Sequence, residues 1–239
     1  MTFIELTYTL KDNIQVFPDD PNFELKNISD NDEYNLFKLS GGLHTGTHID
    51  APYHYIENGK KVFEIDLNSL IGKISIFKLN YIDYNNSNAN DNAIANDNGD
   101  TDSNNNDVFK NRLNKDISVK KEINLQDITI PDKIENIIVF NTGWSKFWGQ
   151  NDYFTDNFYL SEEMAYFLIE NGVKGIAIDG PSVDKYGESN IHKLLLKNDI
   201  WIVENLRNLD KLDKNNYEGF FIPMKINAEA SFLRAFVKE

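Results

Sequence analysis

Apolar positions along this chain gather into short runs of two kinds. Phe3-Ile4-Glu5-Leu6-Thr7-Tyr8, Tyr34 to Leu39 and Lys73 to Leu79 are rich in β-branched and aromatic residues and alternate in part with period two, so each is read as a strand. Ile137 to Phe140, Gly175 to Ile178 and Ile200 to Val203 are continuous apolar runs. Such runs suit strands covered on both faces, and these three are expected at the centre of a sheet. After Ser161 the period changes: Glu162 and Glu163 follow a capping hydroxyl, Met164, Phe167 and Leu168 form a stripe, and Asn171-Gly172 ends it. That pattern predicts a capped amphipathic helix over 161–171, and a second helix is predicted over 191–197. Strands and helices in this succession give an α/β (mixed α+β) class: one domain over 1–239, a mixed sheet with flanking helices.

One segment departs from the pattern. From Tyr84 to Asp107 the chain holds ten Asn and five Asp in twenty-four residues, with no Lys or Arg. So little apolar surface cannot offset the entropy of ordering, so about 84–114 is expected to be a disordered surface insertion between strands.

Composition narrows the chemistry. The 239 residues carry 24 Lys+Arg against 38 Asp+Glu, a net charge of -14, and the cations are dispersed, which argues against a nucleic-acid partner. The absence of an apolar run of membrane length, with Glu5, Lys11 and Asp12 interrupting the start, sets the expectation of a cytoplasmic protein with no membrane partner. With no cysteine, disulfides, thiolate ligands and cysteine nucleophiles are excluded, leaving N and O donors only.

Those donors are concentrated. Three of the four histidines share one stretch with an aspartate, His44-Thr-Gly-Thr-His48-Ile-Asp50-Ala-Pro-Tyr-His54, and the fourth, His192, precedes Glu204 by twelve residues. Imidazole and carboxylate are ligands of divalent Zn, Mn or Fe. In a straight strand His44 and His48 stand roughly 13 Å apart, too far for one ion. In a helix Asp50 turns away from both, and Pro52 disfavours helical angles at Ala51. The segment must therefore bend, and Gly46 is the natural place. A strand end running into a tight loop is expected, with His44, His48 and Asp50 as ligands and His54 as an unligated acid/base. Glu204 follows the apolar run 200–203, where a buried carboxylate needs a partner, so His192 and Glu204 form a second half-site. Ser182 has no nucleophile-elbow context and reads as structural, Asp179 and Asp184 as turn or supporting carboxylates, and the run Trp144, Phe147, Trp148, Tyr153, Phe154 as core or interface.

The string His44 to His54 resembles the defining motif of the metal-dependent cyclase family, which includes bacterial kynurenine formamidase and isatin hydrolase. The resemblance continues in Val16-Phe17-Pro18, in Asn141-Thr142-Gly143-Trp144, in Ala177 to Asp184 and in the His192 to Glu204 spacing before Asn205-Leu206. It implies a swivelling β/β/α fold and a homodimer or homotetramer. It also implies one or two Zn2+ ions, or Mn2+: a first held by His44, His48 and Asp50, and a second bridged by Asp50 and held by His192 and Glu204. His54 would move the proton, and Phe17 stands where formamidases often have a substrate-contacting tryptophan. Asp19, Gly180 and Lys185 depart from the formamidase pattern without touching the metal set. The implied activity is hydrolysis of a small-molecule amide or cyclic amide, arylformamidase-like, with a metal-activated water as nucleophile. The alternatives are a single-metal Mn enzyme of the isatin hydrolase type and a non-catalytic metal-binding assembly protein.

Overall fold

The computed structural model describes residues 1–29, 33–80, 121–214 and 216–239; the expected insertion at about 84–114 lies outside them. In chain order the strands are β1 (Phe3–Glu5), β2 (Glu24–Asn27), β3 (Phe37–Ser40), β4 (His48–Asp50), β5 (Ile71–Leu79), β6 (Glu122–Ile123), β7 (Ile128–Thr129), β8 (Ile137–Asn141), β9 (Tyr159–Leu160), β10 (Gly175–Ile178), β11 (Trp201–Glu204), β12 (Glu218–Pro223) and β13 (Ala230–Lys238). Two α-helices are described, α1 (Glu162–Glu170) and α2 (Asn190–Lys197).

The main sheet runs β1-β13-β12-β5-β8-β10-β11-β4, with β7 beside β5. Its centre, β5-β8-β10-β11, is parallel and contains the three continuous apolar runs expected there, and its flanks are antiparallel. The path then closes on itself, because β13 pairs with β4 through 230–232 and with β12 through 233–238. Side-chain parity shows why the central runs are apolar throughout. Ile138, Phe140, Ile176, Ile178 and Ile202 pack towards the helices with Met164, Leu168, Leu195 and Leu196. Ile137, Val139, Ala177, Trp201 and Val203 face the opposite side with Ile49, Phe221, Ala235 and Val237. Two β layers and one α layer result, consistent with the expected architecture.

Helix α1 begins where the sequence signals it: Ser161 Oγ accepts from Met164 N at 3.1 Å, Glu162 and Glu163 occupy the positive end of the dipole, and Gly172 takes a left-handed φ of 70° just past the end. The first predicted strand is shorter than 3–8. Beyond Leu6, whose N–H still donates to the Ala235 carbonyl at 2.9 Å, side-chain bonds take over, with Thr7 Oγ1 accepting from Ala235 N at 2.7 Å and Thr47 Oγ1 accepting from Tyr8 N at 3.0 Å. Among the described residues no helix is long and apolar enough to cross a membrane.

Candidate metal centre

Strand β4 organises the site. His48 and Asp50 are two residues apart on a strand and share a face, while Ile49 points into the core and is fully buried. The antiparallel neighbour β11 sets Glu204 directly opposite His48, and His48 Nε2 lies 3.5 Å from Glu204 Oε2. His44 sits upstream, across the bend expected at Gly46. That glycine has a φ of 63°, and a Cβ there would meet Leu10 Cδ2 at 3.0 Å. The order differs from the expected one: the tight loop comes first and runs into the strand. The loop brings His44 Nδ1 within 3.0 Å of Asp50 Oδ1.

His54 ends a short 3-10 turn, Pro52–His54, with its ring centroid 4.4 Å from that of His44 and 5.9 Å from that of His192. His192 enters from the first turn of α2, and its placement depends on Asp184. The Asp184 carboxylate accepts from Ile191 N at 2.8 Å, from His192 N at 2.9 Å and from His192 Nδ1 at 2.7 Å, so it caps the helix and aims the ring together. His192 Nε2 then stands 3.1 Å from Glu204 Oε1 and 3.5 Å from Asp50 Oδ2. Glu204 Oε1 also accepts from Val183 N at 3.1 Å.

The proton positions follow from chemistry. His48 Nδ1 lies 2.9 Å from the Gly46 carbonyl, which can only accept, so Nδ1 carries the hydrogen and Nε2 presents its lone pair. That lone pair faces Asp50 and Glu204 with 3.5 Å to each, and neither His48 Nε2 nor either Asp50 oxygen has a hydrogen-bond partner, although all are buried. Lone pairs converging on lone pairs away from water are costly unless a cation lies between them. The donor set fits a divalent metal: ligand atoms of His44, His48 and Asp50, and again of Asp50, His54 and His192, lie within 4.8 Å of one another. The second of these sets puts His54, expected to be unligated, in a ligand-like position.

The side chains perturb one another strongly. Burial pushes the His44 pKa down, but the Asp50 carboxylate outweighs it and holds the imidazole up at about 10. Burial pushes the Asp50 carboxyl up, and the His44 charge overcomes this to leave it well below the usual range. Burial also works against the charged form of His192, yet its bond to Asp184 and the nearby carboxylates of Asp50 and Glu204 hold it well above the ordinary value. At His54 burial wins and lowers the imidazole to about 4.

A family profile described as "Putative cyclase" matches residues 4–185. This chain belongs to that cyclase family. The chain is 27% identical over 242 residues to a kynurenine formamidase of Bacillus thuringiensis subsp. konkukian (strain 97-27), covering 99% of this chain and 97% of the relative. Among solved structures it is similar to one described as a potential metal-dependent hydrolase with cyclase activity, with a TM-score of 0.69, 22% identity, and coverage of 100% and 98%. It is also similar to isatin hydrolase A from Ralstonia solanacearum, with a TM-score of 0.67, 21% identity, and coverage of 99% and 91%. The cyclase-family match contains Phe17, His44, His48, Asp50 and His54, whereas His192 and Glu204 lie beyond it. Asp184 and the β4–β11 register tie those two to the rest.

Other expectations sort by contact. Phe17 touches Phe154 at 5.6 Å and Tyr186 at 5.8 Å between ring centroids, two residues along from Asp184. Trp144, Phe147, Trp148 and Tyr153 are core residues, and Ser182 Oγ accepts from Asp184 N at 3.1 Å in a supporting role. Three neighbours were not singled out from the sequence: Glu229, with Oε1 3.7 Å from His44 Nε2, Tyr55, whose ring lies 4.3 Å from His54 and 5.4 Å from His192, and Asn205. Asn205 was visible only as the residue after Glu204, with no role attached, whereas Glu229 lies 25 residues beyond Glu204, next to the start of β13, and no motif announces it.

Proposed function

We propose that this chain is a metal-dependent hydrolase of an amide or cyclic amide, of the kynurenine formamidase type. The observation that supports it most is the buried, unpartnered set of His48 Nε2 and both Asp50 oxygens, set between further imidazole and carboxylate groups. His44, His48 and Asp50 would hold one ion, and Asp50 would bridge to a second held by His192 and Glu204. Zn2+ and Mn2+ both suit such N/O donors. A divalent ion there supplies Lewis acidity that polarises the scissile carbonyl and makes water a competent nucleophile near neutral pH.

The chain's own residues supply the rest. His54 is neutral at pH 7, so its imidazole can take a proton as attack proceeds and return it to the departing nitrogen. Asp184 holds His192 in one orientation throughout. Phe17, with Tyr186 and Phe154, offers aromatic faces for a flat acyl or aryl group. The working unit is a homodimer or homotetramer, supported by the exposed apolar side chains on the β2–β3 ribbon.

The test is hydrolysis by purified, metal-loaded protein of a panel of formanilides, isatin and cyclic imides. His54→Ala is expected to keep wild-type metal content and lose at least about 100-fold in kcat. No hydrolysis by the wild-type protein across the panel, or full turnover by His54→Ala, would reject this reading. A second reading has its own support, since His54 shares ligand distances with Asp50 and His192. If His54→Ala loses metal along with activity, His54 is a ligand.

A further inference from the structure

The Gly46 carbonyl that fixes the His48 ring has a second donor. Asn205 Nδ2 donates to it at 3.0 Å, and Asn205 Oδ1 accepts from the Tyr153 hydroxyl at 2.9 Å. Because a carbonyl cannot donate, only the NH2 end of the amide can face Gly46, and the hydroxyl holds the other end. The backbone of Asn205 is committed too. Its N–H donates to the Gly180 carbonyl at 2.9 Å, and its carbonyl accepts from Thr47 Oγ1 at 2.6 Å. Its φ of 59° lies in the left-handed region, which asparagine tolerates better than most residues. The residue is 2% exposed and directly follows Glu204, so a single side chain staples the end of β11 to the bend between His44 and His48.

We propose that Asn205 is a positioning residue of the metal centre, which acts through the Gly46 carbonyl to hold His48 in its Nδ1–H tautomer with Nε2 aimed at Asp50 and Glu204. The inference rests on the metal-centre reading. Gly46 supplies the bend but no group that stops its own carbonyl from swinging; the Asn205 amide does. Partners of this kind change metal affinity by about 10- to 100-fold when lost.

Two variants separate positioning from folding. Asn205→Asp keeps the size and the left-handed preference but turns oxygen, not N–H, towards the Gly46 carbonyl. Asn205→Gly keeps the backbone geometry and removes the side chain. Both are expected to raise the dissociation constants for Zn2+ and Mn2+, read by competition with a chromophoric chelator, by about 10- to 100-fold. Both should also move the His48 ring 15N resonances away from those of a single Nδ1–H tautomer. Tyr153→Phe, which leaves every backbone bond of Asn205 in place, is expected to change both readouts in the same direction by less. His48→Ala is the reference, expected to lose binding at this centre. If His48→Ala loses the ion while Asn205→Asp, Asn205→Gly and Tyr153→Phe retain wild-type affinity and tautomer, the Asn205 inference is overturned and the metal reading stands. If His48→Ala binds as tightly as wild type, the metal reading fails and takes the inference with it.

Discussion

His44 and Asp50 face each other at 3.0 Å, and each has reset the other's affinity for protons. The consequence has a sign. A histidine whose pKa is raised, to about 10 for His44 and well above the usual value for His192, holds its proton at pH 7. An ion needs the same lone pair, so it must expel that proton, and affinity rises with pH until the imidazole is already neutral. His54, lowered to about 4, has no proton to release. Titrating chelator-stripped protein with Zn2+ in weak buffer at pH 7 is therefore expected to acidify the solution, with tighter binding at pH 8 than at pH 6. Uptake without proton release would contradict the assignment of His44 and His192. At this scale the sequence was most informative where the candidate residues are contiguous: His44, His48 and Asp50 as expected ligands and His54 as the expected acid/base fall within eleven residues. Asp184 was visible only as a supporting carboxylate, and its three bonds to the start of α2 needed the fold to appear.

Strands β8, β10 and β11 were legible because burial on both faces leaves an unmistakable apolar run. Strands β12 and β13 left no clear signal, since Phe220-Phe221-Ile222 is only three residues long and Arg234 breaks the apolar positions of 230–237 without a sustained period of two. Packing between β10 and β11 is tight enough to test. A Cβ on Gly175 would meet Trp201 Cε2 at 2.0 Å, and the indole is pinned by its N–H to Ser69 Oγ at 3.2 Å. Gly175→Ala is expected to cost roughly 3 kcal/mol in urea unfolding. Gly72→Ala, where a Cβ meets nothing within 4 Å, should stay within about 0.5 kcal/mol of wild type. The ribbon of β2 and β3 poses a different question, because a two-stranded ribbon is marginal alone and this one shows Phe37 at 54% and Leu39 at 48% exposure. If a second copy covers it, Phe37→Asp with Leu39→Lys will lower the mass seen by light scattering. An unchanged oligomeric mass would remove the ribbon from the interface.

For the molecule as a whole, the buried acidic and imidazole cluster makes an ion a stability element. At an ion concentration one hundred times the dissociation constant, binding adds about 2.7 kcal/mol, which for a chain of this size is about 5 to 10 °C in Tm. Chelation is expected to lower Tm by that amount, and re-addition of Zn2+ or Mn2+ to restore it; a Tm indifferent to both would place the ion outside the fold's energetics. The closure of the sheet by β13 also sets an order of events. Strand β4, which carries His48 and Asp50, lies between Trp201–Glu204 and residues 230–232. A ribosome that has translated residues 1–120 has therefore already made all three clustered histidines, yet β4, which carries His48, still lacks both neighbours. The pairing that sets Glu204 opposite His48 and closes the other edge of β4 therefore waits for residues 201–232 to be made.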